Sequence, residues 1–378
     1  MSIKLIRTVT VPQSLGFVEP ILPQLKQKYE VQLLSSPGER LESLCKEYQV
    51  TGHQVEMYRR MSPIKDIKSL FELIKVFRKE KPYMVHSMTP KAGLLCMLAA
   101  WITMVPRRVH TFTGLVWPSA SGVSRKILMF TDWLTCTCAT HVIPEGQGVM
   151  NDLQQHITRK PMKVLGYGNV RGVDMERFSR RPEIMDKAKM LTEKNMFTFI
   201  FVGRLVKDKG INELVEAFTQ LYNKYKNVRL LLVGKYETEL DPLKEETIER
   251  INTLSTIEAV GPQYGDDLLL HYAASDCFVF PSYREGFPNT VLEAGAMGLP
   301  SIVTDINGSR DIIVHGENGV IVPSKNVDAL YQAMEQMFLD KEEMQRMADN
   351  ARPMIESRFE QSFVQKCLLE FYDEILRE

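Results

Sequence analysis

One stretch, residues 277–294, decides the predicted fold, and its sequence is CFVFPSYREGFPNTVLEA. The apolar run Cys277–Phe280 is typical of a buried parallel strand, because helices cover both faces of such a strand. Gly286 has no Cβ, so a ligand can approach the backbone closely there. Pro288 suits the first position of a helix, where its missing N–H would have no partner anyway. The stretch therefore predicts a strand, a loop and a helix whose first N–H groups form an anion site on Asn289, Thr290 and Val291.

Two glutamates flank this junction. Glu285 falls in the loop, and Glu293 lies about five residues into the helix, roughly 7.5 Å along its axis. This spacing suits a diphosphate over the helix end, with one carboxylate for each hydroxyl-bearing group beside it. The alternative interpretation is an ordinary strand–loop–helix that carries two solvated acids.

The rest of the chain repeats the alternation of strands and helices. Apolar runs alternate with helical patterns, which predicts α/β structure with doubly wound parallel sheets. The predicted strands include Ile3–Thr10, Arg107–Phe112, Met162–Leu165, Met196–Val202 and Ser301–Thr304. A chain of 378 residues is too long for one ordinary core. The charged segment Arg171–Arg181 interrupts the rhythm, so we predict two Rossmann-like domains, 1–175 and 176–378, with a cleft between them. Three helices end the chain, and the last, 361–378, could cross back to the first domain.

Composition and charge limit the classes of partner. Residues 1–170 hold 22 Lys and Arg against 12 Asp and Glu, whereas residues 171–378 hold 25 against 35. This asymmetry favours an anionic surface or ligand for the first half, and no nucleic-acid partner is predicted. The longest apolar run, Ala92–Val105, is shorter than the roughly 20 residues of a membrane span. Residues 1–7 lead directly into a strand pattern without an export signal, so a cytoplasmic protein with reduced thiols is expected.

A second basic motif follows the first strand of the second half. Residues 201–210 have the sequence FVGRLVKDKG, which places Arg204 and Lys209 between a strand and a helix. A guanidinium fork and a compact ammonium group both hold phosphates. Two solvated cations on a loop are the alternative.

The spacing Gly-Arg-x-x-x-x-Lys-Gly, with the two-glutamate element about 80 residues further on, resembles the donor site of the family-4 retaining glycosyltransferases, which have the GT-B fold. The resemblance covers nearly the whole chain. The segment GNVRGVDMERF at 168–178 is similar to the family's interdomain segment. The segments VHSMTPKAG at 85–93 and VHTFTG at 109–114 are similar to members that build capsular or other lipid-linked glycans.

The resemblance implies roles for individual residues. Glu285 would contact the hydroxyls of the donor sugar, and Glu293 would contact the ribose. Arg204 and Lys209 would neutralise the leaving diphosphate. The sugar and the phosphates would also meet the backbone of the loop and the helix start, at Gly286, Phe287, Pro288, Asn289, Thr290 and Val291.

The resemblance implies less for the first half of the chain. Gly16 lies in the first loop, where many relatives have two adjacent glycines. His110 is expected at a strand end near the reaction centre, as a catalytic group beside Glu285, although a structural histidine is the alternative. No metal and no cofactor are expected, because the family requires no divalent metal and the sequence lacks a D-x-D motif near the cleft.

The function implied is transfer of a hexose or N-acetylhexosamine from a nucleotide-diphosphate sugar, with UDP as the expected nucleotide. The acceptor would be a growing, lipid-linked glycan of capsule or surface polysaccharide synthesis. A sugar-nucleotide epimerase on the same fold is the alternative. It would need acid and base carboxylates in the first domain, whose acids form no convincing loop motif.

The basic helix pattern at Ile64–Lys79 bears on the location of the protein. Apolar residues recur at helical spacing, while cations, preceded by Arg59 and Arg60, lie largely off that stripe. Such a helix can lie on an anionic membrane, which would make the protein peripheral at the inner face. Alternatively the stripe packs on a sheet and the cations are solvated.

Overall fold

The computed structural model describes residues 3–58, 62–237, 239 and 241–377. Arg59 and Arg60, which the sequence places beside the basic helix, lie outside the described residues. The chain forms two compact units. The first contains the residues up to Gly172 and those from Gln361 onwards, and the second is Val173–Glu360.

A six-stranded parallel sheet forms the centre of the first unit, in the order β3-β2-β1-β4-β5-β6. Its strands are β1 Ile3–Thr8, β2 Tyr29–Ser35, β3 Thr51–Gln54, β4 Met84–Met88, β5 Arg107–Phe112 and β6 His141–Pro144. Its helices are α1 Leu22–Lys28, α2 Glu39–Tyr48, α3 Pro63–Glu80, α4 Pro90–Ile102, α5 Gly122–Cys138, α6 Gln147–His156 and the C-terminal α15 Gln361–Ile375.

The second unit repeats this plan with the sheet order β12-β11-β10-β7-β8-β9, again all parallel. Its strands are β7 Phe197–Val202, β8 Val228–Val233, β9 Ile257–Gly261, β10 Cys277–Phe280, β11 Ser301–Thr304 and β12 Gly319–Val322. Its helices are α7 Pro182–Ala188, α8 Ile211–Lys224, α9 Glu245–Thr253, α10 Gly265–Ala273, α11 Asn289–Ala296, α12 Ser309–Ile312, α13 Val327–Leu339 and α14 Lys341–Phe359.

Both sheets contain a point where the strand order reverses, between β1 and β4 and between β7 and β10. The loops after the two central strands diverge there, which opens a crevice at the carboxyl edge where α/β proteins bind ligands. The predicted α/β class is therefore confirmed. One predicted strand, over 162–165, is wrong: only the N–H of Lys163, 3.4 Å from the Val142 carbonyl, links this segment to β6.

A buried polar chain fastens α15 to the sheet of the first unit. The Tyr372 hydroxyl lies 3.0 Å from Nη1 of Arg7 and 2.5 Å from Nδ1 of His86. Nε2 of His86 is 2.7 Å from the Thr111 hydroxyl. Burial lowers the pKa of His86 well below its ordinary value, so the ring is neutral and links the two hydroxyls. The C-terminal helix therefore completes the core of the first unit.

Helix α3 is only partly covered. Leu73, Ile74 and Phe77 are buried, as expected for an apolar stripe that packs on a sheet. Ile64 and Phe71, which belong to the same predicted stripe, are 85% and 60% exposed. The alternative in which the whole stripe packs on a sheet is therefore wrong. The first half of α3 presents apolar groups together with its lysines. None of the helices in the described ranges is long and apolar enough to span a membrane.

Candidate functional site

The candidate site lies at the carboxyl ends of β7 and β10, at the reversal point of the second sheet. The loop after β7 carries Lys209, and the loop after β10 carries Glu285. The two side chains form an ion pair, and Oε1 of Glu285 is also 3.2 Å from the Ser282 hydroxyl. The pair is only 15% and 18% exposed. The structure thus brings together Lys209, the predicted phosphate-binding residue, and Glu285, the predicted sugar-binding residue.

Asp208 holds the two loops together. Its backbone carbonyl accepts the N–H of Tyr283 at 2.8 Å, and its carboxylate pairs with Arg284 at 3.2 Å. The Tyr283 hydroxyl in turn donates to Glu213 of α8 at 2.7 Å. Burial raises the pKa of Tyr283, so this hydroxyl keeps its proton and remains a donor. The relative position of Lys209 and Glu285 is therefore fixed by the backbone beside them.

Two glycines allow the loops to approach each other. Gly210 has φ +72°, and a Cβ there would run into the carbonyl oxygen of Pro281. Gly308, before α12, has φ +75°, and its Cβ would lie 2.8 Å from the Cα of Phe287. Only glycine combines this backbone conformation with such close contact. Gly308 was not among the predicted site residues, because its sequence neighbours carry no motif that points to the loop.

The start of α11 differs from the prediction. The helix begins at Asn289, so Pro288 is its N-cap residue and not its first helical residue. The N–H of Val291 donates to the Pro288 carbonyl at 3.1 Å, in a tight first turn. The predicted anion site of three amides therefore loses the N–H of Val291 as a donor.

Glu293 lies one turn further along α11 and is only 7% exposed. Its Oε2 is 3.4 Å from the hydroxyl of Tyr272, which is itself fully buried. Burial raises the pKa of Tyr272 well above its ordinary value, and the neighbouring carboxylate adds to that shift. Tyr272 is thus a protonated donor that orients Glu293.

Arg204 follows the same strand end as Lys209 but is placed differently. Its side chain is 53% exposed and pairs with Glu237, after β8. An exposed ion pair of this kind holds its partners weakly. Arg204 is therefore available to exchange Glu237 for another anion.

His110 is not at the end of its strand, and this expectation is wrong. The side chain lies within β5, is 1% exposed, and its Nδ1 is 2.8 Å from the Ser87 hydroxyl. Gly93 of α4 packs so closely on the ring that a Cβ there would lie only 3.0 Å from Nδ1. Burial lowers the pKa of His110 to about 3. His110 is thus a neutral, buried residue of β5, as in the structural alternative, and its catalytic role stays a prediction.

Gly16 lies in a 3₁₀ turn, Pro12–Phe17, after β1. A Cβ at Gly16 would meet nothing within 4 Å, so packing within the first unit does not require glycine there. In the part of the chain that the structure describes, no group of three or more His, Cys, Asp or Glu side chains could hold a metal ion. The absence of a metal requirement stays a prediction.

Comparisons with known proteins define the class. The family model described as "Glycosyl transferases group 1" matches residues 183–354, and "Glycosyltransferase Family 4" matches residues 21–174. A solved glycosyltransferase from Rickettsia africae is 20% identical with a TM-score of 0.81, and covers 100% of this chain and 99% of its own. HepE from Anabaena, solved with UDP, is 18% identical with a TM-score of 0.82, and covers 98% of this chain and 100% of its own. The chain is a glycosyltransferase with the GT-B fold.

Two relatives of known class show which glycosyltransferase family the chain belongs to. The capsular polysaccharide biosynthesis glycosyltransferase CapM from Staphylococcus aureus is 32% identical over 99% of this chain and 98% of its own length. The UDP-Gal:alpha-D-GlcNAc-diphosphoundecaprenol alpha-1,3-galactosyltransferase from Escherichia coli is 32% identical over 80% of this chain and 78% of its own. The chain belongs to the family-4 glycosyltransferases.

The close contact between Gly210 and Pro281 gives a test of the site's architecture. Gly210 and Gly261 have nearly the same φ, +72° and +74°, but a Cβ at Gly261 would meet nothing within 4 Å. Gly261→Ala therefore adds only left-handed strain, about 1–2 kcal/mol. We expect Gly210→Ala to lower the free energy of unfolding by more than Gly261→Ala does, as measured by chemical denaturation. Equal losses would show that the Pro281 contact does not constrain the loops.

Proposed function

We propose that this chain is a retaining glycosyltransferase that transfers a hexose or N-acetylhexosamine from a UDP-sugar to a lipid-linked glycan in capsule or surface polysaccharide synthesis. The observation that carries the proposal is the shielded pair of Lys209 and Glu285 at the reversal point of the second sheet. One partner suits a phosphate and the other suits sugar hydroxyls. The UDP-Gal-dependent activity for which the Escherichia coli relative is named and the UDP bound to HepE support this choice of donor.

In the proposed complex the Lys209 ammonium group contacts both Glu285 and the diphosphate of the donor. Negative charge grows on that diphosphate as the glycosidic bond breaks, and a preorganised cation beside it lowers the barrier. Arg204, at the same strand end, can exchange its exposed partner Glu237 for the phosphate. No divalent metal is needed in this scheme, so activity should persist in EDTA.

Glu285 accepts hydrogen bonds from the donor sugar in this scheme. Ser282 and Lys209 hold its carboxylate in place before the sugar arrives, which avoids a cost in side-chain ordering. Glu293, oriented by Tyr272, accepts the ribose hydroxyls of the nucleotide. In this scheme Glu285 therefore binds the sugar of the donor, and Glu293 binds its ribose.

The epimerase alternative has weaker support. A solved UDP-N-acetylglucosamine 2-epimerase is 14% identical with a TM-score of 0.67, below the values for the two glycosyltransferases. A likeness at this level of identity concerns the fold alone.

The acceptor side of the proposal rests on the first unit. Five cations of α3 are exposed, namely Lys65, Lys68, Lys75, Arg78 and Lys79, and they share the helix with the exposed Ile64 and Phe71. Cations mixed with apolar groups favour the interface of an anionic bilayer. We therefore place the enzyme in the cytoplasm, attached peripherally to the inner face of the membrane where a lipid-linked acceptor would be held.

The division of roles between the glutamates predicts different defects. Glu285→Gln should reduce transfer far more than it weakens UDP binding, because this side chain serves the sugar. Glu293→Ala should weaken UDP binding itself. Calorimetry with UDP and a transfer assay measure the two effects. Glu335→Gln is the control, because Glu335 pairs with Lys224 in the same unit and is not one of the site residues. NMR of the product gives its anomeric configuration. The same loss of UDP affinity in both variants would contradict the assignment, and an inverted product would contradict retention.

Membrane attachment predicts a dependence on salt and on α3. Each Lys or Arg near an anionic surface contributes about 1 kcal/mol, so the triple change Lys68→Gln, Lys75→Gln and Arg78→Gln should weaken binding to phosphatidylglycerol vesicles about 100-fold. Co-sedimentation at low and high salt measures it, since screening weakens such attraction. The matched control changes three exposed lysines of the second unit to Gln: Lys187, Lys189 and Lys224. If wild type does not bind these vesicles at low salt, the exposed face of α3 does not attach the enzyme to the membrane that holds the acceptor.

A further inference from the structure

A cavity in the first unit takes no part in the donor site. It has a volume of about 350 Å³ and lies where β1 and β4 end, between the start of α4 and the side of α5. This volume falls within the range of small-molecule sites, roughly 300–1,000 Å³. Its apolar lining comes from Val11, Pro90, Leu94, Val116 and Leu128. Because it is at the reversal point of the first sheet, the cavity is placed where α/β folds bind ligands.

Apart from Ser14, the polar side chains in the cavity wall are already paired with the protein. Lys91 lies 2.6 Å from Asp66 in an ion pair whose side chains are 9% and 17% exposed. The hydroxyls of Thr10 and Thr89 are 2.7 Å apart, and each also accepts a backbone N–H. The Thr131 hydroxyl donates to the Leu128 carbonyl at 2.8 Å. A sugar or phosphate would find few unmet hydrogen-bonding groups here, whereas a hydrocarbon needs none.

The wall also contains a strained residue. Thr89 has φ +71°, a value that β-branched residues rarely adopt, and its bonds with Thr10 hold it there. Strain of this kind persists where the surrounding structure enforces it, and it is concentrated at binding sites.

The helix that closes the cavity is apolar on its outer side as well. Leu128 and Thr131 line the cavity, while Ile127 and Phe130, in the same turns of α5, are 42% and 57% exposed. The Phe130 ring stacks on Trp133, which is 45% exposed, with 5.6 Å between the ring centroids. Exposed apolar clusters mark contact surfaces, and aromatic residues favour the boundary between lipid and water. The cavity and the outside of α5 therefore form one apolar region.

We propose that this cavity binds the hydrocarbon chain of the lipid-linked acceptor, next to its diphosphate, and that Ile127, Phe130 and Trp133 lie against the surrounding lipid. This inference rests on the proposed function only for its lipid-linked acceptor. The donor site in the second unit takes no part in it, so the two can fail separately.

Farnesyl diphosphate, used below its micelle concentration and with UDP saturating the donor site, is a suitable probe. We expect calorimetry to show that wild type binds it at least tenfold more tightly than inorganic diphosphate. Leu128→Trp and Leu94→Phe fill the cavity and should each weaken the binding of farnesyl diphosphate about tenfold or more. Ser124→Trp is the matched control, because it adds the same side chain as Leu128→Trp at an exposed position of the same helix. UDP affinity should be unchanged in all three variants, which separates this inference from the donor assignment.

A second measurement does not depend on how the variants fold. A farnesyl diphosphate analogue with a diazirine in its chain should label wild type on peptides from 90–94 or 116–131. Labelling confined to the second unit would overturn the proposal. So would equal affinity for farnesyl diphosphate and inorganic diphosphate, or full affinity for the probe in Leu128→Trp with UDP binding intact.

Discussion

The ion pair between Lys209 and Glu285 is the interaction on which the site in the second unit depends. Both groups are largely shielded from water, so neither could be held alone without a substantial desolvation cost. Their approach requires the loops after β7 and β10 to touch, which Gly210 permits and the backbone of Asp208 enforces. The sheet provides the rigid base, because β7 and β10 are neighbours in it. A cation and a carboxylate are thus presented side by side before any ligand binds.

The first unit is organised by a different constraint, the burial of Arg7. Arg7 is 1% exposed, and its guanidinium lies 3.0 Å from the Tyr372 hydroxyl and 3.1 Å from the Met88 sulfur. The strand that carries Arg7 therefore depends on a residue at the far end of the chain. The same end of the sheet supports the cavity and the 3₁₀ turn of Gly16. The two units thus use the same sheet topology for different purposes, a polar site in the second and an apolar cavity in the first.

Much of the fold and part of the candidate site were predictable from the sequence, at the positions where local patterns and packing agree. The strands Arg107–Phe112, Cys277–Phe280 and Ser301–Thr304 were predicted with their observed bounds, because each is a short run bounded by Pro, Asp or Gly. The loop position of Glu285 followed in the same way. The pairing of Lys209 with Glu285 was not predictable, because contacts between loops depend on strand order. A single sequence does not give the strand order.

Most of the wrong expectations share one physical cause, which is that periodicity does not show what covers a side chain. His110 is buried because Gly93 of the neighbouring helix leaves room for its ring. Part of the α3 stripe is exposed because nothing described packs over its first turns, and the outer face of α5 was missed for the same reason. At Pro288 the helix begins one residue later than the proline rule suggests, since the residue serves as the cap.

The central claim, that Lys209 binds the diphosphate of the donor, is tested most directly by titrating UDP into wild type, Lys209→Met and Lys224→Met in a calorimeter. Both lysines belong to a Lys–Glu ion pair of the second unit, but the Lys224 side chain is 57% exposed and its partner is Glu335. Loss of a charged hydrogen bond costs about 1.5–3 kcal/mol, so Lys209→Met should bind UDP roughly 10- to 150-fold more weakly. Lys224→Met should bind it like wild type. Unchanged affinity in Lys209→Met would contradict the account.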